Sequence, residues 1–235
     1  MSQIAANLQC VRQRIEAART RFQRSEEVEL LAVSKTKPLA LLEQAWQSGQ
    51  RHFGENYLQE ALEKINALAG RDIVWHFIGA IQSNKTTALA QHFDWVHCVD
   101  RAKIARRLSK ARGADQAKLN ICLQVNISNE PSKAGVSLEA LPALAAEIAC
   151  YPNLALRGLM AIPATSDDFD AQQQPFARLK SALARLQQQL PNHPLDTLSM
   201  GMSGDLEAAI AQGSTFVRVG TALFGARNPS IREDP

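Results

Sequence analysis

Lys35 is the residue whose position in the sequence best suits covalent chemistry. Residues 30–33 form an apolar, strand-like run, and Pro38 opens a predicted helix three residues after the lysine. In a parallel barrel the reactive groups gather at the carboxyl ends of the strands. Partial desolvation there and the like charge of Lys37 both favour the neutral, nucleophilic amine. Lys35 is therefore a candidate for bonding an aldehyde cofactor, and a solvated loop lysine is the alternative.

A second candidate group follows the last predicted strand, over residues 215–219. Arg218 lies inside an apolar run, where an arginine either joins an ion pair or reaches a ligand at the strand end. Gly220 lets a ligand approach the backbone closely. A short helix beginning near Thr221 would direct its N–H groups at an anion. A simple turn between strand and helix is the alternative for Gly220 and Thr221.

A third group follows the seventh predicted strand, where residues 199–205 read SMGMSGD. Ser203 is predicted to be the N-cap of the next helix. The start of that helix would also suit a phosphate, so the two roles are compatible. Asp205 and Glu207 suit the helix dipole but oppose a nearby anion unless they face away from it.

The elements that carry these residues alternate between strands and helices along the chain. Strands are predicted over residues 29–34, 50–53, 73–78, 95–99, 118–127, 154–160, 197–200 and 215–219. Apolar residues at helical spacing predict a helix after each strand and a leading helix within residues 1–24, capped by Ser2. Eight such units predict an α/β fold, a single (β/α)8 TIM barrel over residues 1–235 with an extra N-terminal helix. A doubly wound sheet is the alternative, but the first turn lacks its GxGxxG motif.

Composition excludes several classes of protein. With 46% hydrophobic and 21% charged residues, the chain is typical of a soluble globular protein. A net charge of +3 does not predict nucleic-acid binding, and the basic run from Arg101 to Arg112 is explained first by a solvated helix face. We expect no membrane span, no metal site, four free thiols and a cytoplasmic location, because no long apolar run, CxxC pair or metal-ligand spacing occurs. The scattered histidines are interpreted as structural, and residues 228–235 as a flexible tail.

The motifs together resemble the pyridoxal phosphate homeostasis protein family. The matching stretches are AVSKTK at 32–37, FGENY at 53–57, WHFIG at 75–79, QSNK at 82–85, RGLM at 157–160, SMGMS at 199–203 and VRVGT at 217–221, followed by FG at 224–225. They run from the first strand to the last, so the resemblance covers nearly the whole chain. Gly204 stands where an acidic residue is expected in close relatives, although Asp205 keeps a carboxylate beside it.

The resemblance implies a fold-type III barrel like the N-terminal domain of alanine racemases, with pyridoxal 5'-phosphate (PLP) held on a lysine as a Schiff base. The cofactor-binding residues that it implies are Lys35 for the covalent bond, Arg218 facing the pyridine nitrogen, Ser203, Gly220 and Thr221 at the phosphate, and Asn56 and Met200 along the ring. Because arginine only donates hydrogen bonds, Arg218 would keep the ring nitrogen unprotonated and the ring a weak electron sink.

The function that this resemblance implies is a PLP carrier that buffers the cofactor and delivers it to apoenzymes, with an indirect effect on amino-acid and keto-acid balance. A PLP-dependent amino-acid racemase is the alternative. Racemases of this barrel type add a second domain that supplies a tyrosine base, whereas Tyr57 and Tyr151 are the only tyrosines here. We therefore expect a protein that is not an enzyme and has no catalytic residues. We also expect a monomer, since a barrel with an open mouth could work alone, although the sequence does not fix the oligomeric state. The sequence leaves open whether Lys133 offers a second PLP site.

Overall fold

The structure, a computed structural model, describes residues 2–130 and 133–226 and contains a closed barrel of parallel strands. The strands follow one another around the barrel in chain order: β1 Glu29–Val33, β2 His52–Glu55, β3 Val74–Phe77, β4 Trp95–Val99, β5 Leu119–Gln124, β6 Leu154–Met160, β7 Thr197–Ser199 and β8 Phe216–Val219. Strand β8 pairs with β1, with Ala32 opposite Val219, and this pairing closes the barrel. The predicted (β/α)8 barrel is confirmed.

Helices lie between the strands and cover the outside of the barrel. They are α1 Gln3–Arg21, α2 Leu39–Gln47, α3 Leu58–Ala67, α4 Thr86–His92, α5 Ala102–Ala111, α6 Leu141–Ala149, α7 Phe169–Gln189, α8 Leu206–Ala211 and α9 Thr221–Phe224, with a 3-10 turn at Ser83–Lys85. No helix in the described ranges is long and apolar enough to cross a membrane.

The leading helix α1 forms as the spacing of its apolar residues predicts. Its buried residues are Ile4, Leu8, Val11, Ile15 and Ala18, which share one face at intervals of three and four. The Ser2 hydroxyl accepts a hydrogen bond from the Ala5 N–H at 3.2 Å, so the predicted N-cap is confirmed. Helix α1 packs against α2, α8 and α9, and thereby joins the two ends of the strand order.

Three elements differ from the predictions in ways that bear on the site. Strand β2 covers His52–Glu55 rather than residues 50–53, so Glu55 lies in the strand and Asn56 follows it directly. Strand β5 ends at Gln124 rather than at residue 127, because the chain turns there to let Val125 bridge to Val136. Helix α8 begins at Leu206 rather than at Ser203, since residues 203–205 form a turn. The predicted tail, residues 228–235, lies outside the described residues.

Candidate functional site

The predicted site residues follow strands that are neighbours in the barrel. Strands β7, β8, β1 and β2 are consecutive around it, and they are followed by Ser203, by Gly220, by Lys35 and by Asn56, respectively. Since the strands are parallel, all these residues lie at the same carboxyl-terminal rim. The barrel therefore brings together at one rim segments that are far apart in the sequence.

Lys35 occupies a tight turn at this rim and is half-buried. The Lys37 N–H donates to the Ser34 carbonyl at 3.1 Å, which closes the turn. Thr36 adopts a left-handed backbone with φ of 60°, and its N–H donates to Glu60 Oε1 of α3 at 2.7 Å. The backbone on either side of Lys35 is thus fixed by hydrogen bonds before any ligand is considered.

A buried ion cluster supports the Lys35 turn from below. Lys64 Nζ donates to Glu55 Oε1 at 2.8 Å, to Glu60 Oε1 at 2.5 Å and to the Ser34 carbonyl at 2.7 Å. The Ser34 hydroxyl donates to Glu55 Oε1 at 2.6 Å. Burial raises the pKa of Glu55, and the attraction of Lys64 opposes that rise. This cluster was not predicted from the sequence, although Glu60 and Lys64 are spaced by one helical turn, which was the available signal.

Arg218 lies inside the barrel with only 5% of its surface exposed. One terminal nitrogen donates to the Ser199 carbonyl at 2.5 Å and to the Ser199 hydroxyl at 3.0 Å, and the other donates to the Ala161 carbonyl at 3.0 Å. Burial lowers the pKa of Arg218 to about 10, so the guanidinium stays protonated at neutral pH. All these partners are neutral oxygens, so the described contacts of Arg218 are not ion pairs, and its role towards a ligand stays a prediction.

Asn56 presents a polar atom that the described protein does not satisfy. Its Oδ1 is buried and has no hydrogen-bond partner in the described residues. A Cβ on Gly79 would lie 2.2 Å from the Asn56 carbonyl oxygen, so only glycine allows the β3 end to pack against this residue. Buried polar atoms are normally paired, and an unpaired one at a rim suits a bound ligand.

The turn before α8 corrects the prediction for Ser203 as an N-cap. The residue that precedes the helix is Asp205, whose carboxylate accepts from the Met202 N–H at 2.6 Å. Glu207 pairs with Arg14 of α1 at 2.5 Å and 2.7 Å, and Arg14 also donates to the Ser203 carbonyl at 2.9 Å. Both acidic side chains are thus engaged by partners of their own, which reduces their opposition to an anion.

The remaining residues predicted to contact a cofactor are Gly220, Thr221 and Met200, and they differ in burial. Gly220 lies where a Cβ would approach the Val33 carbonyl oxygen to 3.2 Å, so close packing of β8 on β1 favours glycine there. Thr221 is exposed at the first residue of α9. Met200 is fully buried, and its carbonyl accepts from the Ser214 hydroxyl at 2.7 Å. The roles of these residues towards a cofactor stay predictions.

The charged residues outside the rim that the sequence singled out contact neighbouring side chains or backbone carbonyls. In the basic run, Arg101 pairs with Asp100 and Arg106 with Glu147, while Arg112 is buried against backbone carbonyls. Lys133 pairs with Glu130 at 2.9 Å. Across the described ranges, no group of three His, Cys, Asp or Glu side chains is placed to hold a metal ion.

Comparison with known proteins identifies close relatives over the full length. A family model described as alanine racemase, N-terminal domain, matches residues 6–228. The chain is 57% identical over 229 residues to the pyridoxal phosphate homeostasis protein of Pseudomonas aeruginosa, with 97% of each chain covered. It is 51% identical over 234 residues to the protein of that name from Escherichia coli K12, with 98% of this chain and 99% of the relative covered.

Solved structures give the same family and the same fold. PipY of Synechococcus elongatus PCC7942 with PLP bound is 39% identical, with a TM-score of 0.84 over 95% of this chain and 100% of that one. The alanine racemase of Corynebacterium glutamicum is only 16% identical, with a TM-score of 0.67 over 98% of this chain and 62% of that one, so it supports the fold alone. The chain belongs to the family of pyridoxal phosphate homeostasis proteins, which share the alanine racemase N-terminal barrel.

Proposed function

We propose that the protein binds PLP at the rim formed by β7, β8, β1 and β2, bonds it through Lys35, and serves as a carrier in PLP homeostasis. The observation that carries the proposal is the convergence of Lys35 and the buried Arg218 guanidinium at adjoining strands in a chain whose relative PipY has been solved with PLP bound. PLP would supply an aldehyde that an amine can bond and a ring that withdraws electrons from the bonded carbon.

The residues at the rim fit each part of that cofactor. Lys35 is held in a fixed turn, which keeps its amine near the site without the entropic cost of ordering a loop. Arg218 has only donors to offer, which suits an unprotonated ring nitrogen. Asn56 Oδ1, which has no hydrogen-bond partner among the residues that the structure describes, is available to a polar group beside the ring. Ser203, Gly220 and Thr221 would supply hydroxyl and backbone donors to the phosphate.

The placement of the tyrosines favours the carrier over the racemase. Two-sided proton transfer needs a base on each face of the substrate. Tyr151 precedes β6 and so lies at the end of the barrel opposite the rim, where its hydroxyl donates to Glu147 at 2.8 Å. Tyr57 lies at the rim as the residue before α3, and nothing in its placement assigns it to the substrate face opposite Lys35. We infer a cytoplasmic monomer that stores PLP, passes it to apoenzymes and does not turn over amino acids.

The direct test is borohydride reduction of the PLP-loaded protein followed by peptide mapping. We expect the pyridoxyl group on Lys35, and its loss in the Lys35→Ala variant. Lys37→Ala is the matched control, because Lys37 lies two residues away and donates to the carbonyls of Gly225 and Ala226. A label on another lysine in the unmodified protein would contradict the proposed attachment.

The racemase alternative is tested by following the chirality of L- and D-alanine with the loaded protein. The carrier proposal expects no conversion above that of free PLP, together with transfer of PLP to an added PLP-requiring apoenzyme. Conversion at ordinary enzymatic rates, about 1 per second or faster, would overturn it.

A further inference from the structure

A continuous chain of hydrogen bonds crosses the interior of the barrel and ends at Arg218. His52 Nδ1 lies 2.9 Å from His76 Nε2, and His76 Nδ1 lies 2.8 Å from His97 Nε2. His97 Nδ1 lies 2.8 Å from Ser199 Oγ, to which Arg218 donates at 3.0 Å. We call His52, His76, His97 and Ser199 the histidine chain. It connects β2, β3, β4 and β7 to β8.

Aromatic side chains hold the imidazoles of the histidine chain in place. Trp95 stacks on His76 with ring centroids 5.5 Å apart and an interplanar angle of 15°. Phe216 packs against His52, His76 and His97 at centroid distances of 5.6, 5.3 and 5.8 Å. His76 and His97 are fully buried, so the rings have no solvent partner to turn towards.

Both inner histidines are neutral at physiological pH. Burial lowers the pKa of His97 to about 3, with a further contribution from the charge of Arg218. Burial also lowers the pKa of His76 well below its usual value. A neutral imidazole has one N–H donor and one bare nitrogen acceptor. Each inner histidine must therefore donate to one neighbour and accept from the other.

Arg218 fixes the direction of the hydrogen bonds. A guanidinium only donates, so Ser199 Oγ is the acceptor in that contact. The other described partner of this hydroxyl is His97 Nδ1, so the buried Ser199 hydrogen is satisfied within the described residues only if His97 Nδ1 accepts it. His97 then carries its own proton on Nε2 and donates to His76, and His76 donates in turn to His52. All three histidines are thereby assigned the Nε2–H tautomer.

The other end of the histidine chain reaches a cavity beneath the barrel. This floor cavity has a volume of about 410 Å³, and His52 lines it. The charged groups around it are Arg12, Glu16 and Arg19 of α1, Glu29 of β1 and Arg51 beside β2. His52 Nε2 lies 3.9 Å from Glu29 Oε2. Burial lowers the pKa of His52, while the charges of Glu29 and Asp94 oppose that effect.

We propose that the histidine chain positions Arg218 towards the ring nitrogen of bound PLP. The position of Arg218 then responds when His52 takes up a proton from the floor cavity. The role of Arg218 towards the ring rests on the proposed function, whereas the direction of the chain follows from the contacts alone. His97 and Ser199 are positioning residues in this proposal, because they act on the cofactor only through Arg218.

Proton uptake at His52 reverses the whole chain. His52 already has a proton on Nε2, so a second proton occupies Nδ1 and faces the His76 Nε2–H. His76 and His97 must then move their protons to Nδ1, and Ser199 must turn its hydroxyl hydrogen away from His97. One proton is gained, at His52, and every other residue keeps the number that it had. Arg218 then donates to a Ser199 hydroxyl that also accepts from His97 instead of donating to it.

The first experiment needs no cofactor. Ring nitrogen shifts of protein labelled with ¹⁵N-histidine report the tautomer of each imidazole at pH 7.5. We expect the Nε2–H tautomer at His52, His76 and His97, and mixed tautomers in a folded Arg218→Met variant. An Nδ1–H tautomer or a charged imidazole at His97 in the unmodified protein would overturn the inferred direction, whether or not the variant folds.

The second experiment follows the absorption spectrum of the PLP-loaded protein from pH 8 to pH 5. We expect a spectral change whose midpoint lies below 6.5, the ordinary value for histidine, because the pKa of His52 is lowered. The change should be lost in His52→Gln and kept in His92→Gln, a control at an exposed histidine. A flat profile in the unmodified protein, or an unchanged one in His52→Gln, would overturn the coupling. Failure of PLP to bind at all would instead contradict the proposed function and leave the tautomer result standing.

Discussion

At the scale of single residues, Thr36 shows strain beside Lys35. It is a β-branched residue with φ of 60°, and its hydroxyl is buried without a partner in the described residues. Such a conformation costs about 1–3 kcal/mol. A non-glycine residue here restricts the backbone next to Lys35, which would suit the proposed role of Lys35 in holding PLP.

Replacing Thr36 with glycine is expected to relieve this strain. Allowing for the greater freedom of glycine in the unfolded chain, we expect Thr36→Gly to raise the free energy of unfolding by about 1 kcal/mol in urea titrations. Thr87→Gly, at an exposed position within α4, should lower it by about 0.3–0.5 kcal/mol. A loss of stability in Thr36→Gly as large as that of the control would show that the turn is not strained.

Arg218 is the residue on whose charge the proposed PLP site would depend. Arg218→Gln removes the permanent positive charge and all N–H donors except those of one amino group. The remaining amide can still donate to Ser199. We expect the affinity for PLP to fall about 10- to 100-fold, the range for losing a charged hydrogen bond. Fluorescence titration measures it. Arg157→Gln is the control, since Arg157 pairs with Asp196 next to the opposite end of the barrel, and an equal loss there would refute the assignment.

At the scale of elements, α3 supports the Lys35 turn through Lys64. Lys64→Met would leave Glu55 buried without its cation, and we expect a loss of about 3–5 kcal/mol in the free energy of unfolding. The double variant Glu55→Gln/Lys64→Met should recover much of the loss, because no charge is then buried unpaired. Exposed Lys118→Met should change little. Equal stability of the single and double variants would show that the ion cluster is not what holds this helix.

The elements themselves were largely predictable from the sequence, and their contacts were not. The strands of a parallel barrel are buried on both faces, so apolar runs such as Leu30, Leu31 and Ala32 of β1 mark them clearly. The cap of α8 was mispredicted because Ser203 and Asp205 are both favourable N-cap types, whereas in the structure Asp205 precedes the helix and its carboxylate accepts from the upstream Met202 N–H. The histidine chain depends on which residues face each other across five strands, and a single sequence does not contain that register.

At the scale of the whole molecule, α1 fastens the end of the barrel to its beginning. Arg14 of α1 binds Glu207 of α8 and lowers the pKa of that carboxyl from 4.5. The ion pair therefore stabilises the folded protein fully above pH 4.5, the ordinary pKa of the carboxyl. This stabilisation is lost as the pH falls through the lowered pKa of Glu207. Because both side chains are about one-third exposed, we expect at most about 1 kcal/mol.

Thermal unfolding between pH 3 and pH 7 tests this contribution. We expect Glu207→Gln to be less stable than the unmodified protein at pH 7 and equal to it near pH 3. Glu139→Gln, at an exposed residue outside the described ion pairs, should track the unmodified protein throughout. A difference for Glu207→Gln that is the same at both ends of the range would mean that the ion pair does not contribute.

The pairing of β8 with β1 has a consequence for the synthesis of the protein. Lys35 leaves the ribosome early, but Arg218 and Gly220 stand beside it only after the last strand has been made and has closed the barrel. A nascent or truncated chain thus carries the amine without the rest of the site. Tight capture of the cofactor would then mark a finished, closed molecule, and partly made chains would not draw on the cellular supply.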